Sequence, residues 1–117
     1  MHIHITPRHL KLTAAIHGYV ADKIEHLEHV TDQIIGAHVV LWYDKTRVPS
    51  KQFCVKVHLA VPGPDIHAED VEADLYAAVD KVVDKLSQQL RKRKTSLNKR
   101  FKRTARLTKE HLRKFGN

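Results

Sequence analysis

Between positions 71 and 90 the apolar residues return as Val71, Leu75, Val79, Val82, Leu86 and Leu90, at steps of three or four. That is the period of a single helix face. The spacing predicts a helix over 70–94, about 37 Å long at 1.5 Å per residue. Asp70 stands where a cap belongs, Glu72 and Asp74 lie in the first turns, and Arg91 to Lys94 load the end. This order of charge complements the helix dipole. A helix with one apolar stripe has to lie on an apolar surface, and the rest of the chain supplies one.

The surface is written in a period of two. Residues 2–6, HIHIT, put Ile3 and Ile5 on one side and His2 and His4 on the other, with Pro7 expected to end the strand. AHVVLWY (37–43) is apolar and β-branched. QFCVKVHLAV (52–61) sets Phe53, Val55, Val57, Leu59 and Val61 against Cys54, Lys56, His58 and Ala60. Between them DKTRVPSK (44–51) reads as a polar hairpin loop, and PGPD (62–65) as a turn before a short fourth strand over about 65–68. An earlier helix is expected over 13–30, capped by Thr13 and apolar at Ile16, Val20, Ile24, Leu27 and Val30. The expected fold is α/β, of the two-layer α+β kind. Its order is β-α-β-β-β-α: a four-stranded sheet, two helices packed on one face, and a basic C-terminal tail. Residues 1–94 form the domain, and 95–117 an extension that is helical or disordered until bound.

Of the 117 residues 42% are hydrophobic, enough for one core. No apolar run approaches the ~20 residues of a membrane span. MHIHITPRHL lacks the pattern of a signal peptide, and a single cysteine, Cys54, excludes an internal disulfide framework. A cytoplasmic, monomeric protein with no membrane partner is expected. The charge is lopsided. Residues 1–80 hold 7 basic and 11 acidic side chains, whereas 81–117 hold 14 basic and 2 acidic. A body of one sign with a basic end points to a polyanion, nucleic acid before membrane, since the basic stretch lacks a broad leucine and aromatic face.

Lys81 and Lys85 stand one turn apart, and Gln88 and Lys92 extend their stripe, placed opposite the apolar seam. Phosphate contact is favoured over a merely solvated face because the acidic residues are segregated elsewhere. Arg47 and Lys51 in the hairpin loop rank second, and Arg8 and Lys11 third. Tyr76 is as well explained by edge packing as by stacking on a base. Trp42 lies on the open side of the sheet if the helices cover Ile3 and Ile5, where packing against the sheet is favoured over stacking on a base. On that register His2, His4, His38, His58 and His67 gather there too, where acid would charge them. His-x-His on a strand is also a metal-ligand spacing, but no carboxylate or cysteine completes a set. Neither a metal nor a cofactor is expected. Cys54 reads as inert packing. The chain has no phosphate-binding glycine loop and no nucleophile elbow, so no catalytic residue is assigned.

The segment DIHAEDVEADLYAAVDKVVDKLSQQLRKRK (65–94) resembles the hibernation-promoting factor family, also called ribosome-associated inhibitor, light-repressed protein or sigma-54 modulation protein. HIHIT, TAAIHGYVADKIEHLEH and VVLWYDK resemble its first strand, first helix and second strand, so the likeness covers about residues 2–95. It implies a ribosome hibernation factor without chemical activity. Such a protein binds the small ribosomal subunit at the messenger channel and tRNA sites, blocks translation and preserves idle ribosomes. By position it implies contacts to ribosomal RNA from Lys81, Lys85, Arg91, Lys92, Arg93 and Lys94, with Tyr76 at the family's aromatic position. Longer relatives carry a further C-terminal domain that pairs two ribosomes; the resemblance implies a short form here, holding the intact ribosome. The alternative binding reading is a free-standing double-stranded RNA-binding protein, since β-β-β-α resembles that module's core.

Overall fold

The computed structural model describes residues 1–93. Four strands form one sheet in the order β1-β2-β3-β4: β1 His2–Arg8, β2 Gly36–Tyr43, β3 Phe53–Ala60 and β4 Ile66–Glu72. β1 runs parallel to β2, and the other two pairings are antiparallel. The helix α1, Ala14–Glu25, makes the crossover between the parallel strands, and α2 covers 75–93 after β4. The order and sheet are those expected from the sequence periods.

Alternation on the strands separates two faces. Ala37, Val39 and Leu41 of β2, Val55, Val57 and Leu59 of β3, and Ile66 and Ala68 of β4 are all buried. Onto them pack Val20 and Ile24 of α1 and Leu75, Ala78, Val79, Val82, Leu86 and Leu90 of α2. The two helices share this face and touch each other. The Tyr19 hydroxyl donates to Asp80 at 2.5 Å, and its ring meets that of Tyr76 edge-on, 4.8 Å between centroids. Lys23 lies 3.5 Å from the same Asp80 carboxylate. No polar or charged residue is buried among the described residues.

Four boundaries differ from the sequence reading. Pro7 does not end β1, because β1 is an edge strand with β2 as its one neighbour, and there a missing N–H costs little. The first helix keeps its Thr13 cap, whose hydroxyl accepts from the Ile16 amide at 3.2 Å. It ends at Glu25, however, and tightens into a 3₁₀ turn over His26–His29 that carries Leu27 into the core. The fourth strand is longer than the expected 65–68. Residues Asp70, Val71 and Glu72 pair with Val55, Cys54 and Phe53, extending the ladder to the start of β3. The second helix therefore starts at 75 instead of 70, which leaves about 28 Å of described helix. Val71 belongs to the strand, and the cap is Asp74, whose carboxylate accepts from the Tyr76 amide at 3.3 Å. The expected extension 95–117 and Lys94 lie outside the described residues.

Leu86 is fully buried between α2 and the sheet. Leu86→Ala should lower unfolding free energy by about 2–5 kcal/mol, read as a lower urea midpoint. The Asp80 carboxylate, by accepting a hydrogen bond from the Tyr19 hydroxyl, raises the pKa of that hydroxyl to about 12. A folded pKa above the unfolded one means that this contribution to stability is complete below about pH 10 and lost as pH climbs towards 12. Absorbance titration should show a late-ionising tyrosine that disappears in Tyr19→Phe.

Candidate nucleic-acid interface

The basic candidates on α2 are arranged by the way the helix lies along β4. The two run antiparallel, as three side chains on successive turns demonstrate. Lys81 pairs with Glu72. Lys85 lies 3.6 Å from the Asp70 carboxylate and donates to the Glu69 carbonyl at 2.9 Å. The Gln89 amide donates to the His67 carbonyl at 3.2 Å. Each step of four residues on the helix matches about two on the strand, since 6.0 Å of helix rise nearly equals two strand residues.

This arrangement corrects the expected stripe through 81, 85, 88 and 92. Lys81 and Lys85 share their stripe with Gln89, and they flank the sheet edge instead of standing opposite the apolar seam. Both ammonium groups meet a carboxylate, while the side chains stay 59% and 50% exposed. The Glu72 contact holds the Lys81 amine above its ordinary range, so Lys81 is charged at every physiological pH. The sequence reading missed Asp70 and Glu72 as partners because it placed them inside the helix. On a strand they face the helix flank.

Beyond this flank Arg91 and Lys92 are exposed on the last described turn, and Arg93 is half-buried. Arg93 borders a depression with Asp32, Val61, Pro62 and Leu90. Arg47 and Lys51 belong to the loop between β2 and β3. That loop closes on itself: Asp44 accepts from the Thr46 amide at 3.0 Å and from Arg47 Nε at 3.2 Å, and Pro49–Lys51 form a 3₁₀ turn. The Thr46 hydrogen bonds, with help from Arg47, pull the Asp44 carboxyl below its ordinary value. Lys51 is exposed and in no ion pair among the described residues.

Phe53, just after the loop, pairs with Glu72, just before α2. The loop therefore sits at the helix start, and Arg91 and Lys92 lie roughly 24 Å further along the axis. The structure does not gather the candidates into one patch. It sets two exposed basic ends apart, with Lys81 and Lys85 along the ridge between them. Tyr76 is 38% exposed at the loop end of that ridge, its ring held by Tyr19.

The opposite, open side of the sheet carries Trp42 as well as the histidines, as the alternation required. Cys54 is buried, and burial pushes its thiol up. Among the described residues no three His, Cys, Asp or Glu side chains converge as a metal site, and no helix is long and apolar enough to cross a membrane.

The family described as "Sigma 54 modulation protein / S30EA ribosomal protein" matches residues 3–98. The chain belongs to this family. A ribosome hibernation promoting factor of Escherichia coli is 36% identical over 97 residues, covering 83% of this chain and 97% of its own length. A ribosome hibernation promotion factor of Deinococcus radiodurans is 42% identical over 91 residues, and there the match spans only 48% of the relative. This chain thus spans about half of that longer protein and nearly all of the shorter one. Among solved structures, the N-terminal domain of Thermus thermophilus Protein Y superposes with TM-score 0.70 at 32% identity, covering 79% of this chain and 98% of that domain. A ribosomal subunit interface protein from Coxiella burnetii gives 0.72 at 27% identity, with 81% and 99% covered. The match to residues 3–98 takes in every sheet strand but for His2 at the start of β1, and all the described part of α2.

Removing the Glu72 carboxylate leaves Lys81 without its partner. Glu72→Gln should raise the salt needed to elute the protein from heparin, and should return the Lys81 amine towards its ordinary pKa by NMR titration. Unchanged values would mean that the pair has no bearing on the ridge's charge.

Proposed function

We propose that this protein is a ribosome hibernation factor. It occupies the small ribosomal subunit at the messenger channel and tRNA sites, and so blocks translation and preserves idle ribosomes. The family is one of binding proteins and not of enzymes, and steric occupation needs no chemistry from the chain. The observation that carries the reading is the match to the E. coli factor over nearly that protein's whole length. The arrangement of charge on α2 supports it.

RNA contact is assigned to Arg91, Lys92 and Arg93 at one end of α2, with Lys94 beyond the described residues, and to Arg47 and Lys51 at the other. Lys81 and Lys85 lie between, each already sharing a carboxylate, so they add less than the exposed ends. Tyr76 is a positioning residue whose ring orders the helix start. Two basic ends some 24 Å apart suit a folded RNA cleft whose phosphates are spaced in three dimensions. Shape then supplies specificity, since no element among the described residues is presented to a major groove. The tail at 95–117 adds basic residues that would deepen the hold.

Sedimentation through sucrose at low magnesium tests the reading. The protein should comigrate with ribosomes at about one copy each and should be displaced by tRNA and messenger. Arg91→Ala with Lys92→Ala should weaken binding by about tenfold and flatten its salt dependence by about 1–2 in log–log slope. Displacement by duplex RNA, with tRNA and messenger ineffective, would turn the assignment to a double-stranded RNA binder.

A further inference from the structure

The side of the sheet away from both helices has a composition that the ridge reading does not use. His4 pairs with His38, His38 with His58, and His58 with His67, so four histidines stand side by side in one row across all four strands. All four are exposed, as is His2 one step along β1. The His4 and His38 rings are 5.3 Å apart between centroids, and those of His58 and His67 lie nearly parallel at 6.2 Å. The next row on this face reads Thr6, Val40, Lys56 and Glu69, and the one after it Arg8, Trp42, Cys54 and Val71. Between the rows lies an open depression of about 840 Å³, bordered by Arg8, His38, Trp42, Lys56, His58 and Glu69.

We propose that this open face is a second docking surface for a single strand of RNA, with Trp42 as its stacking platform and the histidine row as a cationic track that acid switches on. The inference rests on the RNA-binding reading above and adds a face to it. A twisted sheet offering an aromatic ring among cations is a general way to hold unpaired bases, because every base has a stackable face and the backbone follows the charge. Strands in a sheet lie about 4.8 Å apart, so the row extends over roughly 14 Å, the reach of two to three nucleotides.

The charges that face the row set its pH dependence. Asp65 accepts from His58 at 2.7 Å, and that hydrogen bond draws the Asp65 carboxyl below its ordinary range. A proton on His58 is therefore largely met within the protein. His38 is bonded at 3.2 Å to the neutral Thr6 hydroxyl, and His4 and His67 have no carboxylate in an ion pair among the described residues. Glu69 opposes Lys56 across the strand pair, Arg8 and His9 border the loop end, and neither helix packs on this face. A proton taken up by His4, His38 or His67, with His2 beside them, thus adds positive charge that no carboxylate ion pair among the described residues offsets.

Trp42 is the chain's one tryptophan, so its emission reports on this face. The full chain is titrated with a short dye-labelled oligouridylate, following dye anisotropy and Trp42 fluorescence together at about pH 7.5 and about pH 6. Binding should quench Trp42. Affinity should rise by about tenfold at the lower pH, with the salt slope steeper by about 1–2, since each phosphate neutralised on a single strand adds roughly 0.7. His4→Gln with His38→Gln and His67→Gln, all at exposed positions, should bring the ratio of affinity at about pH 6 to that at about pH 7.5 from about tenfold down to about one. Lys56→Gln should weaken binding at both. Anisotropy change without quenching, an acid gain that persists in the triple variant, or no binding at all would each overturn the proposal. Ribosome cosedimentation at pH 7.5 separates the two readings. Failure there by the parent protein counts against hibernation, and failure of the Trp42 signal counts against this face.

Discussion

Residues two apart on a strand point the same way, and in this chain that constraint governs every later feature. The buried side, from Ala37, Val39 and Leu41 through Val55, Val57 and Leu59 to Ile66 and Ala68, is the bed on which both helices lie. The other side is left with histidines, Lys56 and Trp42. A slip of one residue in any strand would exchange the two sets, exposing the core and burying imidazoles without partners. The register is therefore fixed by burial, and the placement of charge follows from it.

The second helix shows how local and tertiary preferences combine. Its apolar seam from Leu75 to Leu90 is set by burial, while Lys81, Lys85 and Gln89 tie its flank to β4 through Glu72, Asp70 and two backbone carbonyls. Exposed pairs of this kind contribute little stability each. Their importance is positional: they cover the edge of β4, which would otherwise present unpaired backbone groups. They also fix where the two exposed basic ends of the ridge stand.

Much of this was legible in the chain. The period of two gave the strand faces, the period of three and four gave the helix seams, and the histidine row followed once the register was known. What misled was the junction at 70–74. Val71 lies four residues before Leu75 and so continues the helical spacing, while Asp70 resembles a cap. Only the need of Cys54 and Phe53 for partners across the sheet pulls Val71 and Glu72 into β4, and that is a long-range requirement that no local window contains. The same error hid the carboxylates opposite Lys81 and Lys85. Pro7 misled in the converse way: it forbids a ladder bond, but on an edge strand that bond is not needed.

In the proposed function, the helix clamped along the sheet edge holds two basic ends at a fixed separation against the RNA of the small ribosomal subunit. Electron cryomicroscopy of that subunit with the protein bound tests it most directly. Density is expected in the messenger channel between head and body, with the loop of Arg47 and Lys51 and the turn of Arg91 and Lys92 both against ribosomal RNA. Density elsewhere on the particle, or an orientation that turns both basic ends to solvent, would contradict it.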